Sequence, residues 1–579
     1  MKRISAFTVF AAVLIIASCS GRDGLHNLTI LATDDVHAAW FDSTYSGGTR
    51  TSLFAVNSYV DSVRKADGAQ NVLLIDAGDC LQGDEAAYYY NYVDTLSEHL
   101  FVRLMDYMGY DAIAVGNHDI ETGHPVYDRV TAQLEKRGIP FLAGNAFRTD
   151  NGKTYWPAYK VFRRGGMKVL VIGYTNPNIK AWLDESIWSG IRFESLLPLA
   201  QKDVDRLRKK TRPDVTILAM HSGTGRGDGS QIENQALDLY QSLKGVDFVL
   251  CAHDHRQTTR QSDSIALINT GNRAKFLGIG KISLNIEKGK VTSRSLSAGL
   301  IPVDRKKVDT AMRDFFRKDF ETVKAFTLQE VGMLDRDIFT RDAYSGMNDY
   351  VSLVHTVQLA ASGADLSFAA PLSYNGKISA GVLRFSDMFT IYPFENSLFT
   401  VEMSGREIKD YLEYSYDKWL AEPEDEHTLR ILKREDPRNN QSGWSFASRF
   451  YNFDSAAGIN YTVDVTKRAG ERVRILGFAD GRSFDSEAGY KVAMTSYRAS
   501  GGGGLLTHGA GIPEGDIDGR VSGRYPEIRE LIYGFISDKG LVDHETMENR
   551  KVLGEWKFVP ENLAAEGISR DMELLFGKP

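Results

Sequence analysis

The first half of this chain repeats a short apolar run followed by polar residues. LTILATDD from Leu28, NVLLIDAGD from Asn71, DAIAVGNHD from Asp111, KVLVIGYT from Lys168, VTILAMHSG from Val215, DFVLCAHDH from Asp247 and ALINTGN from Ala266 read as strands separated by helical stretches. Alternation of this kind builds a layered α/β domain. Open α/β sheets carry their sites at the carboxyl ends of strands. Those ends hold the sequence's most unusual residues.

Five clusters stand there in order: Asp35-Val36-His37, Gly78-Asp79, Gly116-Asn117-His118-Asp119, His221 and His253-Asp254-His255. They contain five of the chain's twelve histidines, so they are not a random sample of it. A single Asp-x-His or His-x-His is weak, because helix caps and surface pairs use the same residues. Five in sequence, on strand ends, point to metal. Carboxylates, imidazoles and an amide oxygen suit borderline divalent ions. The ligands outnumber what one tetrahedral ion takes. Two ions roughly 3.5–4 Å apart clamp a phosphate ester and generate hydroxide at neutral pH.

The order and spacing of these motifs closely resemble the calcineurin-like metallophosphoesterases. Within them the chain resembles the exported two-domain family of 5′-nucleotidases and 2′,3′-cyclic-nucleotide 2′-phosphodiesterase/3′-nucleotidases. The resemblance implies an N-terminal four-layer α/β/β/α domain and a C-terminal α+β nucleotide-binding domain. It implies two divalent ions (Zn, Mn or Co), one held by Asp35, His37, Asp79 and His255, the other by Asp79, Asn117, His221 and His253. His118 would meet the phosphate and stabilise or protonate the leaving oxygen. Many 5′-nucleotidases place an aspartate three residues beyond that histidine; here it is Glu121, one methylene longer. Asp34, Asp119 and Asp254 interleave with the ligands and read as supporting or solvent groups, since successive strand residues point to opposite sides.

At 579 residues the chain exceeds a single core. We expect the phosphoesterase domain over 25–304, a helical linker over 305–343, a substrate domain over 344–543 and a tail over 544–579. The stretch from Ala421, AEPEDEHTLRILKREDPRNN, reads as a charged surface loop. A net charge of −7 gives no basic face for a DNA or RNA duplex. Lys2 and Arg3 precede ISAFTVFAAVLIIA, of signal-peptide length. The run closes on Ile16-Ala17-Ser18-Cys19, resembling a lipoprotein lipobox, so we expect an exported protein, lipid-anchored on Cys19 in the periplasm or outer membrane. A monomer is expected. Cys80 and Cys251 read as buried free thiols, with a disulfide between them the alternative in an exported protein.

In the family, the second domain stacks the base between aromatic rings. SFAAPLSYNGKISAGVLRFSDMFTIYPFENSL from Ser367, RFYNFDSAAGINYTVDV from Arg449 and AMTSYRASGGGG from Ala493 resemble its three conserved regions. Tyr497 matches one stacking ring. Its partner matches Phe394 in the cyclic-phosphodiesterase branch and Phe453 in the 5′-nucleotidase branch. Asn396 is placed to read a base edge and Arg498 to add positive charge. The Gly-Gly-x-Arg turn of 5′-nucleotidases is replaced by Ala369-Ala370-Pro371-Leu372, which favours the cyclic branch. A 5′-nucleotidase, a UDP-sugar hydrolase and an inactive nucleotide-binding protein are the alternatives.

Overall fold

The structure is a computed structural model that describes residues 23–45, 47–288, 290–434 and 442–577. The leader and Cys19 lie outside the described residues. No helix among the described residues is long and apolar enough to cross a membrane.

The N-terminal domain holds two six-stranded sheets. In spatial order the first is Lys290–Pro302, Phe276–Glu287, Gly24–Thr33, Val72–Asp76, Ala112–Ala114 and Phe141–Leu142. The second is Gln257–Gln261, Ala266–Thr270, Phe248–Leu250, Val215–Met220, Met167–Tyr174 and Tyr159–Arg164. Ile30, Ala32, Ile75 and Ala114 of one sheet meet Val169, Val171, Ile217 and Ala219 of the other, all buried. Helices Leu53–Asp67, Leu100–Met108 and His124–Lys136 cover the outer face of the first sheet. Leu196–Thr211 and Ala236–Ser242 cover the second. Central strands buried on both faces explain the near-continuous apolar runs in the sequence. Each buried Val, Leu or Ile contributes roughly 1.5–3 kcal/mol against exposure. The layering is α/β/β/α, as the resemblance implies.

The linker forms two helices, Thr310–Phe315 and Arg317–Thr327. Met312, Phe316 and Val323 are fully buried in the N-terminal core, and Phe316 stacks on Phe54. These apolar side chains dock the linker helices onto the first domain. Strand Glu330–Leu334 already pairs with strands of the second domain, ahead of the expected start at Tyr344.

The C-terminal domain centres on a five-stranded sheet ordered Ser455–Ala457, Leu366–Ala369, Gly489–Thr495, Ser397–Ser404 and Val521–Glu527. Residues beyond 543 are not a tail. Trp556–Val559 pairs in parallel with Ile459–Asp464, and helix Glu561–Phe576 buries Ala564, Ile568 and Leu575 in the same core. Within the expected charged loop, Ile431–Lys433 pairs with Trp444–Phe446. The domains meet through Tyr92, whose hydroxyl donates to Glu395 at 3.2 Å, and through Arg524, 3.2 Å from Asp184.

Candidate active site

Every sequence-derived ligand reaches one place because parallel neighbours align their carboxyl ends. Asp35 and His37 follow Gly24–Thr33, Asp79 follows Val72–Asp76, and Asn117 opens the short helix after Ala112–Ala114. His221 follows Val215–Met220, and His253 and His255 follow Phe248–Leu250. Asp35, His37, Asp79, His253 and His255 have φ of 45°, 46°, 62°, 75° and 55°. This left-handed region costs a non-glycine residue of order 1 kcal/mol or more, and such strain gathers at functional sites. Gly116 is required: a Cβ there would fall 2.1 Å from Asp79 Oδ1.

Two groups result, Asp35 with His37 and His255, and Asp79 with His221 and His253. His37 Nε2 lies 2.9 Å from His255 Nε2. His221 Nε2 lies 3.0 Å from Asp79 Oδ2, and His253 Nδ1 lies 2.9 Å from Asn117 Oδ1. Donor atoms bonded at about 2.0–2.2 Å to one ion stand about 3 Å apart. The fit extends to orphaned atoms: Asp35 Oδ1 and His221 Nε2 are buried with no hydrogen-bond partner. The 3.0 Å His221–Asp79 approach is close enough for a hydrogen bond but out of line for one. Buried polar atoms left this way are costly, and a divalent cation satisfies them.

Electrostatics agree. Burial lowers His37 to about 3, keeping it a neutral donor. Against the upward pull of burial, His221 and His118 hold the Asp79 carboxyl well below the usual carboxylate range.

Asp34, Asp119 and Asp254 are braces. Asp119 accepts from the backbone N–H groups of Gly116, Asp79, Cys80 and Leu81 at 2.8, 3.0, 2.9 and 2.9 Å, tying two ligand loops together. Asp34 accepts from Thr270 N–H at 2.7 Å. Asp254 accepts from Thr224 N–H and Asn269 Nδ2, both at 2.8 Å. Cys80 and Cys251 are free, buried thiols.

His118 begins outside both groups. Its backbone N–H donates to Asp79 Oδ1 at 2.8 Å, and its Nδ1 bonds Glu121 one turn on. Burial opposes the imidazolium, but Glu121 and Asp79 outweigh it and raise His118 to about 10. The longer glutamate thus reaches its histidine.

A cavity of about 580 Å³ joins this constellation to the second domain. Asp79, Asn117, His118, Glu121 and His253 line one side, and Phe394, Asn396, Tyr451 and Tyr497 the other. Two expectations fail here. Phe453 is fully buried, stacked on Trp419 with ring centroids 5.4 Å apart, and belongs to the core. Tyr451, two residues earlier, takes the cavity position and meets Phe394 edge-on at 6.4 Å. Arg498 borders the cavity, yet its donors are all engaged: two on Asp454 at 2.8 and 3.0 Å, the rest on Asn452 Oδ1, Tyr451 O and Gly502 O. It is a buried structural cation, not a free charge for substrate. The glycine run after it has a cause: a Cβ on Gly502 would lie 2.5 Å from the Tyr497 ring.

Sequence reasoning also missed Trp182, Glu233 and Arg449, which line the same cavity. Tyr451 lay within an aromatic stretch already singled out; Trp182 and Glu233 carried no local signal.

Comparison with known proteins agrees with this geometry. Residues 28–257 match the calcineurin-like phosphoesterase family, and residues 329–508 match the 5′-nucleotidase C-terminal domain. The trifunctional nucleotide phosphoesterase protein YfkN of Bacillus subtilis is 24% identical over 92% of this chain, which spans only 39% of that relative's length. The 2′,3′-cyclic-nucleotide 2′-phosphodiesterase/3′-nucleotidase of Haemophilus influenzae is 23% identical over 92% of this chain and 88% of that protein. A Staphylococcus aureus protein solved with alpha-ketoglutarate shares the fold, with TM-score 0.74 at 21% identity over 92% of this chain and 99% of the other. The chain therefore belongs to the metal-dependent phosphoester hydrolases that join a calcineurin-like phosphoesterase domain to a 5′-nucleotidase C-terminal domain.

Proposed function

We propose that the chain hydrolyses nucleotides outside the cytoplasm, opening 2′,3′-cyclic phosphates and then releasing phosphate from 3′-nucleotides. One observation carries the reading: His255 of one ligand group, Asp79 and His253 of the other, His118 and the rings of Phe394, Tyr451 and Tyr497 line a single cavity. Asp35, His37, Asp79 and His255 would hold one divalent ion, and Asp79, Asn117, His221 and His253 a second. Bound divalent metals supply Lewis-acid charge to phosphoryl oxygens and lower the pKa of water.

The chain's own residues do the rest. Glu121 accepts from Nδ1 of His118, which leaves Nε2 as the donor to the departing oxygen. The rings of Phe394, Tyr451 and Tyr497 hold the base, and every base has a π-face, so the slot accepts several nucleotides. Asn396 stands at the cavity wall to meet a base edge. The missing Gly-Gly-x-Arg arginine and the similarity to the Haemophilus influenzae relative support the cyclic branch. The match to the 5′-nucleotidase C-terminal domain supports 5′-nucleotides as the second reading.

The test is phosphate release from 2′,3′-cyclic AMP (with excess phosphomonoesterase), 3′-AMP, 5′-AMP and UDP-glucose, with Mn²⁺ and after chelation. Chelator-sensitive turnover of the first two, with little on 5′-AMP, is the expected result. Preference for 5′-AMP overturns the branch, and silence on all four with metal bound overturns the nucleotide substrates in favour of another phosphoester or of nucleotide binding without turnover. Export and anchoring through Cys19 rest on the leader sequence; loss of membrane partition in Cys19→Ala is the matching measurement.

A further inference from the structure

His253 is held unlike the other histidines of the site. Its Nδ1 faces Asn117 Oδ1 at 2.9 Å, within the second ligand group. The opposite nitrogen, Nε2, lies 3.7 Å from Glu233 Oε2. Trp182 lies on the imidazole face, centroids 5.1 Å apart and planes 27° apart. His221, by contrast, is wholly buried and fixed by its own Nδ1 contact to Ala77 O at 3.0 Å. The His253 side chain is 17% exposed, so burial alone does not set its ring.

We propose that Glu233 is a positioning residue for the second ligand group. By accepting the Nε2 proton of His253, it leaves the Nδ1 lone pair facing Asn117 and Asp79, while Trp182 holds the ring plane. The inference rests on reading that group as a divalent-metal site. The gap of 3.7 Å exceeds a hydrogen bond, but the Glu233 side chain is 39% exposed and free to close it by rotating its carboxylate. Oε1 of Glu233 accepts from Asn234 Nδ2 at 3.3 Å, which keeps the group at this edge. The neighbouring carboxylate, Asp254, is already spent on Thr224 and Asn269. A carboxylate behind a ligating histidine fixes its tautomer and strengthens it as a donor. Loss of such a partner costs about 10–100-fold in metal affinity or activity.

The test is a calorimetric Mn²⁺ titration of the metal-stripped full chain, with Glu233→Gln, Glu233→Ala and Glu233→Asp variants. Wild type binds two ions. We expect Glu233→Gln and Glu233→Ala to weaken one of them about tenfold or more and spare the other. Glu233→Asp recovers part of the loss, and the melting temperature of the stripped protein stays constant. Wild-type affinity for both ions in Glu233→Ala overturns the proposal, as does a raised KM for nucleotide with metal affinity intact. A wild-type chain that binds fewer than two ions overturns the metal reading itself, a separable result.

Discussion

Nδ1 of His118 and the carboxylate of Glu121 meet one helical turn apart, in a bond that orients the imidazole beside Asp79 without drawing it into either ligand group. Under the proposed function the pair separates proton transfer from metal binding. His118→Ala should keep metal stoichiometry near wild type while kcat falls about 10²–10⁴-fold. Glu121→Gln should lose less, and Glu121→Asp should show whether the extra methylene matters. Metal content by elemental analysis, run beside kcat, checks this; loss of metal from His118→Ala would make the imidazole a ligand.

Tyr451 and Phe453 alternate across a turn of backbone, one on the cavity and one in the core. Tyr451→Ala should raise KM for nucleotides and leave hydrolysis of bis-p-nitrophenyl phosphate, which has no base, unchanged. Stacking is worth about 1–3 kcal/mol per base. Phe453→Ala should instead destabilise the second domain by about 3–5 kcal/mol. Steady-state kinetics and thermal melts of both variants separate the roles, and a raised KM with unchanged melting in Phe453→Ala would restore it to the site.

The candidate metal site is readable in sequence because its signal is local: each of its residues follows an apolar strand, and parallel strands bring those ends together. What was not readable depends on distant partners. Arg498 finds Asp454 44 residues away, so its burial has no local mark. Trp556–Val559 looks like part of a tail until its parallel partner, Ile459–Asp464, is known. Glu233 lies 20 residues from His253, and neither spacing nor residue type links them. The direction a side chain takes in the short turn Phe450–Asn452 separated Tyr451 from Phe453, and periodicity does not set it.

The bidentate Arg498–Asp454 pair fastens the glycine-rich turn to the Tyr451 segment. Removing one partner of a buried pair strands the other charge, at a cost of about 3–5 kcal/mol. Arg498→Ala and Asp454→Ala should each lower the melting temperature, and the double variant should lose less than the sum. A rise in KM alone, with melting unchanged, would mean that Arg498 serves the substrate.

Glu395 joins the domains from a position between two cavity residues, accepting from Tyr92 Oη. Burial raises its carboxyl to about 8; Arg529 opposes the rise, and Glu527 and Glu121 add to it. An unfolded glutamate titrates near pH 4.3. The folded chain therefore holds this proton while the unfolded chain has lost it, and the stability that Glu395 contributes falls as pH rises from about 4.3 to about 8. Glu527, raised by burial to about 7, contributes a loss of the same sign at the same interface. Across this range the melting temperature of Glu395→Gln, which cannot ionise, should gain on that of wild type as pH rises. Equal slopes for the two proteins would remove Glu395 from the account and leave the pH dependence to other buried carboxyls.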